Sequence, residues 1–113
     1  MTDEERQELR DWSARLMPED ILSISCAGII KVKDYTQSYQ NWVDWTPDLP
    51  TAPASQILSI IEAMKGLRWW LFWNNEENVA EFYDMDSDHI VRSKGNIFNE
   101  AVLLAAKATG VLS

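Results

Sequence analysis

The sequence is poor in the residues from which most reactive sites are built. It contains one cysteine, Cys26, and one histidine, His89. A single cysteine excludes an internal disulfide, and a single imidazole cannot form a multi-histidine metal site. The four glycines are dispersed, so the chain has no glycine-rich loop for phosphate groups. We therefore expect no catalytic residues, no metal site and no cofactor, and we predict that the protein is not an enzyme.

Basic residues and long apolar runs are also scarce. Ten Lys and Arg residues against 18 Asp and Glu residues give a formal net charge of −8. Such a chain is repelled by phosphate backbones and by anionic lipid surfaces, which argues against direct nucleic-acid binding and against membrane association. No run approaches the roughly 20 apolar residues of a membrane span, and the acidic N-terminus lacks the basic region of a secretory signal. These features predict a cytoplasmic protein.

The sequence is rich in aromatic residues, above all in the stretch Leu67–Trp73. Large side chains alternate on both faces of a strand drawn through this stretch. A strand that is apolar on both sides is usually central in its sheet and covered twice. We therefore expect Trp69 and Trp70 to lie in the core, with helices on one face and the N-terminal helix or the segment around Trp42 and Trp45 on the other.

Hydrophobic periodicity and turn residues predict the elements around this strand. Thr2, Thr51 and Asn96 occupy the positions of helix N-caps. Polar turns at 74–78 and 84–88 separate three short strands, which must be antiparallel because their connections are short. The predicted elements are helices over Asp3–Met17, Thr51–Lys65 and Ile97–Thr109, and strands over Leu67–Trp73, Val79–Tyr83 and His89–Arg92.

The length of 113 residues fits a single domain over 1–113. It divides into an N-terminal helix (1–17), an irregular aromatic connector (18–50) and an α-β-β-β-α core (51–110). Within the connector, Ile30 and Val32 alternate with Lys31 and Lys33, which predicts a short edge strand. The predicted class is α+β: a three-stranded antiparallel sheet, with room for a fourth strand, covered by helices in the order α-α-β-β-β-α.

Several segments resemble the phage ABA sandwich domain family, whose members are short proteins of phages and prophages. The similar segments are Trp45-Thr46-Pro47 before the second helix, 57–64 (ILSIIEAM) within it, the strand segments 70–73 (WLFW) and 81–83 (EFY), and 100–108 (EAVLLAAKA) in the last helix. The N-terminal helix is also similar, whereas residues 20–44 lie outside the resemblance. It implies a layered fold of helices and sheet and a phage origin. It brings no established catalytic residues.

Three acidic residues alternate after the second strand, as in the opening of a calcium-binding EF-hand loop. Asp84, Asp86 and Asp88 occupy its first three ligand positions. An EF-hand also needs glycine at its sixth position and glutamate at its twelfth. Those positions hold His89 and Gly95, so we interpret the segment as a solvated turn.

The six tryptophans exceed what a small core holds, and Trp and Tyr are the residue types that anchor protein interfaces. Together with the acidic charge and the missing reactive motifs, they favour a non-enzymatic phage or prophage accessory protein that binds another protein. In its specific form this is an acidic inhibitor of a host defence factor with a basic surface, acting in the host cytoplasm. The predicted contact residues are Trp42, Trp45, Asp44, Asp48, Glu76, Glu77, Asp84, Asp86 and Asp88.

Two further interpretations use the same aromatic residues. Some of them could form a self-association surface, so the chain could form a homo-oligomer as well as a complex with another protein. As an alternative function, Tyr35, Tyr39, Trp42 and Trp45 could line a pocket that stacks on the ring of a nucleotide or another small molecule.

Overall fold

A computed structural model describes residues 2–18, 21–25, 27–34 and 41–112. The chain forms three helices and six strands within this part. In chain order they are α1 (Asp3–Ala14), β1 (Leu22–Ile24), β2 (Ile30–Asp34), β3 (Asn41–Asp44), α2 (Ala54–Gly66), β4 (Trp69–Asn74), β5 (Val79–Asp84), β6 (Ile90–Lys94) and α3 (Phe98–Ala108).

The strands form two antiparallel three-stranded sheets. Sheet I has the order β1-β2-β3, and sheet II has the order β4-β5-β6. The predicted α+β class and the three-stranded meander of sheet II are therefore confirmed. The predicted order of elements is wrong, because a second sheet, rather than a fourth strand of the first, occupies the connector.

Sheet I forms around β2, whose alternation predicted a strand. Ile30 and Val32 are buried while Lys31 is exposed. Val32 lies opposite Leu22 of β1 and Val43 of β3, so β2 is the central strand of this sheet and not an edge. The flanking strands have only three and four residues, too few for their own periodicity to predict them.

The main core lies between sheet II and the two later helices. α2 packs on β4, and α3 packs on β5 and β6. Phe82 in the central strand is fully buried, as are Val102, Leu103 and Ala106 of α3. α3 is buried on two sides because α1 packs against it as well. Small alanine side chains on α3 allow these neighbouring elements to approach the helix closely.

The helix starts agree with only one of the three predicted caps. The Thr2 hydroxyl accepts a hydrogen bond from the Glu5 N–H (3.2 Å), as expected. Thr51 instead lies in a turn, and α2 begins after Pro53. Ile97 rather than Asn96 precedes α3, because its backbone is still extended. Neither α2 nor α3 has a side-chain cap hydrogen bond.

A buried ion cluster fixes the segment before α2. The Asp48 carboxylate is fully buried and accepts hydrogen bonds from Arg10 Nε (2.6 Å) and Nη2 (3.1 Å). The Arg6 guanidinium lies 3.7 Å from a carboxylate oxygen of Asp48 and 3.7 Å from one of Glu100. The Asn99 amide donates to the two carbonyl groups on either side of Asp48. The cluster thus joins α1, this segment and the start of α3.

Gly95 allows the last turn of sheet II to touch the backbone of α3. A Cβ atom built on Gly95 would lie 2.5 Å from the Ala101 backbone nitrogen, which cannot move without the helix. We expect Gly95→Ala to lower the free energy of unfolding by about 2 kcal/mol or more, the usual range for overpacking. Urea unfolding measures this loss.

Gly66→Ala is the matched control, because Gly66 lies in α2 and has open space around its Cα. Here alanine should raise the free energy of unfolding by about 0.5–1 kcal/mol through its better helix propensity. Equal stability of Gly95→Ala and the wild-type chain would contradict the close contact.

Candidate functional site: an exposed aromatic sheet face

The aromatic strand β4 is covered on one face only. Trp69, Leu71 and Trp73 are half-buried beneath the helices. Trp70 on the other face is 45% exposed, and Phe72 is 58% exposed. The predictions that β4 is covered twice and that Trp70 lies in the core are therefore wrong. The reason is that α2 and α3 pack on the same face, while α1 packs on α3.

The strand register places nine side chains on the uncovered face, which we call the open face of sheet II. Its first row is apolar, its second is mixed, and its third is mainly polar. From β4 to β6 the rows are Trp70, Tyr83 and Ile90; Phe72, Glu81 and Arg92; and Asn74, Val79 and Lys94.

The apolar part of the open face consists of three large, exposed side chains. Aromatic side chains offer about 150–250 Å² each, so Trp70 and Phe72 together expose about 200 Å². Ile90, which is 46% exposed, extends the patch across the sheet. Apolar patches of about 300–600 Å² on monomeric proteins are often functional. The open face approaches this size.

Charged side chains frame this apolar patch. Arg92 Nε lies 2.9 Å from Glu81 Oε1, which neutralises both groups at the centre of the face. Lys65 Nζ lies 5.0 Å from the centre of the Trp70 ring, a contact that stabilises by about 0.5–1 kcal/mol at exposed sites. The Lys65 contact restrains the Trp70 ring without covering it.

The acidic turn after β5 is held by its own hydrogen bonds. The Tyr83 hydroxyl donates to Asp88, and this bond, with some burial and the nearby negative charge, raises the pKa of Tyr83. The Asp84 carboxylate accepts from the Asp86 N–H (2.9 Å) and the Ser87 hydroxyl (2.7 Å), which lowers the pKa of Asp84. Asp84 therefore stabilises the fold above its ordinary pKa, and this contribution is lost as the pH falls through its lowered value.

Two of the predicted contact residues cannot meet a partner. Asp48 is fully buried in the ion cluster, and Trp45 is buried with its indole N–H donating to the Ser13 hydroxyl (3.0 Å). Both predictions are wrong because arginines and a hydroxyl group of α1 form hydrogen bonds with these polar groups. These partners come from a distant part of the sequence. Asp44 and Trp42 remain exposed on sheet I.

The other predicted acids do not form one patch. Glu76 and Glu77 lie in the turn between β4 and β5, and Asp84, Asp86 and Asp88 lie at the turn between β5 and β6. These turns are at opposite ends of a six-residue strand, which at about 3.3 Å per residue separates them by roughly 20 Å. The acids therefore flank the open face at both ends.

The predicted aromatic pocket is not assembled from its tryptophans. Trp42 lies in β3 and Trp45 follows it, with the Trp45 N–H continuing the ladder to Ile30. Their odd spacing directs them to opposite faces of the strand, and only Trp42 is exposed. Tyr35 and Tyr39 lie outside the described residues.

The residues that the structure describes contain neither a metal-holding cluster nor a membrane-spanning helix. In the ranges 2–18, 21–25, 27–34 and 41–112, no three His, Cys, Asp or Glu residues lie close enough together to hold a metal ion. None of the helices described has the length and apolar character needed to cross a bilayer.

The chain matches no protein family model, and searches of curated proteins and of solved structures return no match to it. The resemblance to phage ABA sandwich domains therefore stays a prediction.

Proposed function

We propose that the protein is a non-enzymatic phage or prophage accessory protein that binds another protein through the open face of sheet II. The observation that supports it best is the exposure of Trp70, Phe72 and Ile90 on one continuous face. Large, rigid aromatic side chains are the usual anchors of protein interfaces.

The charges around the face define the partner's chemistry. Acidic turns lie at both ends of the open face, and the chain as a whole carries a net charge of −8. The complementary surface is an apolar patch flanked by basic side chains. Electrostatic attraction of this kind mainly increases the association rate, and it weakens with added salt.

The biological form of the proposal is inhibition of a host defence factor in the host cytoplasm. A small acidic protein that covers a basic, apolar surface can block whatever else binds there. The support is the same as for binding: the net charge of −8 and the open face.

The test is capture from a bacterial host lysate followed by titration of the purified partner. Immobilised wild-type protein is compared with the double variant Trp70→Ser/Phe72→Ser. The matched control is Leu58→Ser, which replaces an exposed apolar residue of α2 away from the open face. We expect one protein to be captured by the wild type and the control and lost with the double variant.

Titration of the purified partner then measures how far each substitution changes the Kd. Removing two interface anchors should raise the Kd at least tenfold, while Leu58→Ser should leave it within about twofold. Glu76→Gln/Glu77→Gln should slow association and reduce its salt dependence. The proposal fails if no protein depends on Trp70 and Phe72 for capture, or if the double variant binds as tightly as the wild type.

A further inference from the structure

The two edges of sheet II differ in how they are protected. β6, at one edge, carries Arg92 and Lys94. Charged side chains on an edge strand discourage pairing with another chain. β4, at the other edge, has the sequence WWLFWN, with no charged residue, proline or glycine over six residues. A strand edge of this length and composition is a template for a further strand, and Lys65 of α2 lies beside it, over the Trp70 ring.

The backbone of β4 has hydrogen-bonding groups directed away from β5. The Met85 N–H donates to the Arg68 carbonyl (3.0 Å), and Trp69 lies opposite Asp84. Antiparallel pairs alternate between hydrogen-bonded and non-hydrogen-bonded. Trp70 and Phe72 therefore bond to β5, and the N–H and C=O groups of Trp69, Leu71 and Trp73 point outward. Within the described residues, no strand pairs with them.

We infer that a second copy of this chain pairs with this edge, β4 against β4 in antiparallel orientation, to form a continuous six-stranded sheet. A two-fold axis through Leu71 places Trp69 opposite Trp73 of the partner subunit. In this register, the outward N–H and C=O groups of all three residues form hydrogen bonds in both copies. Moving the axis by one residue, to Trp70 or Phe72, shifts the register by two residues, and only two of the outward-facing residues then pair with one another.

The same register pairs the exposed aromatic side chains. Trp70 lies opposite Phe72 of the partner subunit, and Phe72 lies opposite the partner's Trp70. Directly opposed side chains in an antiparallel pair have Cβ atoms about 4.5–5.5 Å apart, and aromatic pairs there are favourable. Two aromatic pairs would thus be shared across the axis on the open face.

Charge favours this edge for self-association. A chain with a net charge of −8 repels its copy at most surfaces, but β4 is uncharged. Antiparallel pairing also places the Arg68 end of one β4 beside the partner's turn that carries Glu76. The contact is isologous, so it closes on two copies rather than growing into a filament.

The dimer goes beyond the proposed function and does not depend on it, because it uses the edge of sheet II. Pairing would also join two open faces into one platform. Light scattering of the purified chain should give twice the 13.0 kDa mass of one copy. A monomer at about 100 μM would overturn the inference.

Two substitutions at Leu71 separate backbone pairing from side-chain packing. Leu71→Pro removes the outward N–H, which an edge strand tolerates, and Leu71→Ala removes the same side chain but keeps that N–H. We expect Leu71→Ala to remain dimeric and Leu71→Pro to be monomeric with an unchanged circular dichroism spectrum. A folded, dimeric Leu71→Pro would overturn the inference.

Disulfide trapping keeps the inference testable if Leu71→Pro does not fold. In a Cys26→Ser background, Leu71→Cys should form a covalent dimer under oxygen with a copper catalyst, because Cα atoms of a hydrogen-bonded pair lie about 5.5 Å apart, within disulfide reach. Ile90→Cys, on the protected edge, should not. Cross-linking of both variants or of neither would overturn the inference.

The two proposals fail separately. A monomeric wild type that still captures a partner through Trp70 and Phe72 would overturn the dimer alone. A dimer that captures nothing would count against the proposed function alone.

Discussion

Replacing Asp48 with alanine is expected to lower the free energy of unfolding by about 3 kcal/mol or more. The substitution leaves the Arg10 guanidinium, which is 25% exposed, without the carboxylate that accepts its two hydrogen bonds. Removing one partner of a buried pair typically costs about 3–5 kcal/mol because the remaining charge is left uncompensated. Urea unfolding followed by tryptophan fluorescence measures the change.

Asp86→Ala is the control for this prediction. Asp86 pairs with Arg68 at 3.2 Å, but both side chains are mostly exposed. Exposed pairs contribute at most about 1 kcal/mol, so this variant should unfold close to the wild-type midpoint. Losses of similar size in Asp48→Ala and Asp86→Ala would contradict the burial of Asp48.

Replacing Phe82 with alanine should lower the free energy of unfolding by about 4 kcal/mol. Phe82 is fully buried in the central strand of sheet II, between Leu71 and Val91. The substitution combines lost burial with a cavity that close-packed neighbours cannot fill. Domains of this size are stable by only roughly 5–15 kcal/mol, so denaturant should unfold the variant at a much lower concentration.

Phe72→Ala gives a same-residue comparison on the opposite face. Phe72 is 58% exposed, so the loss of stability should stay below about 1 kcal/mol, as for most surface substitutions. Self-association and partner binding should both weaken in this variant. If Phe72→Ala destabilised the isolated chain as much as Phe82→Ala, the open face would be covered and both proposals would lose their support.

Local signals were enough to predict sheet II. Polar turns at 74–78 and 84–88 separate short strands rich in β-branched and aromatic residues, and short connections require antiparallel pairing. The side-chain alternation within β5 and β6 also indicates which residues of each strand share a face. The observed register then places Tyr83 and Ile90 on the same face as Trp70. The candidate site was therefore partly predictable.

The covering of each face was not predictable from β4 itself. An apolar pattern on both sides of Trp70 indicates two covering layers in most proteins, but here it marks one core face and one exposed face. Which of the two is covered depends on where α2, α3 and α1 pack, and helix position is a tertiary property. Exposure of Phe72 is visible only in three dimensions.

The role of Asp48 was hidden for a related reason. An aspartate between prolines in a connector has the sequence pattern of an exposed turn residue. Its partners, Arg6 and Arg10, lie 42 and 38 positions earlier in the chain. The one local signal was their i, i+4 spacing on α1, which places two cations side by side on one face of the helix.

The long reach of this ion cluster has a kinetic consequence. Its contacts join positions from 38 residues apart (Arg10 and Asp48) to 94 residues apart (Arg6 and Glu100), whereas the hairpins of sheet II close over a few residues. Contacts that close long loops carry a larger entropic cost than local ones, and we expect them to form after the local hairpins. Interactions that are absent from the transition state slow unfolding without accelerating folding. We therefore expect the cluster around Asp48 to slow unfolding rather than to accelerate folding.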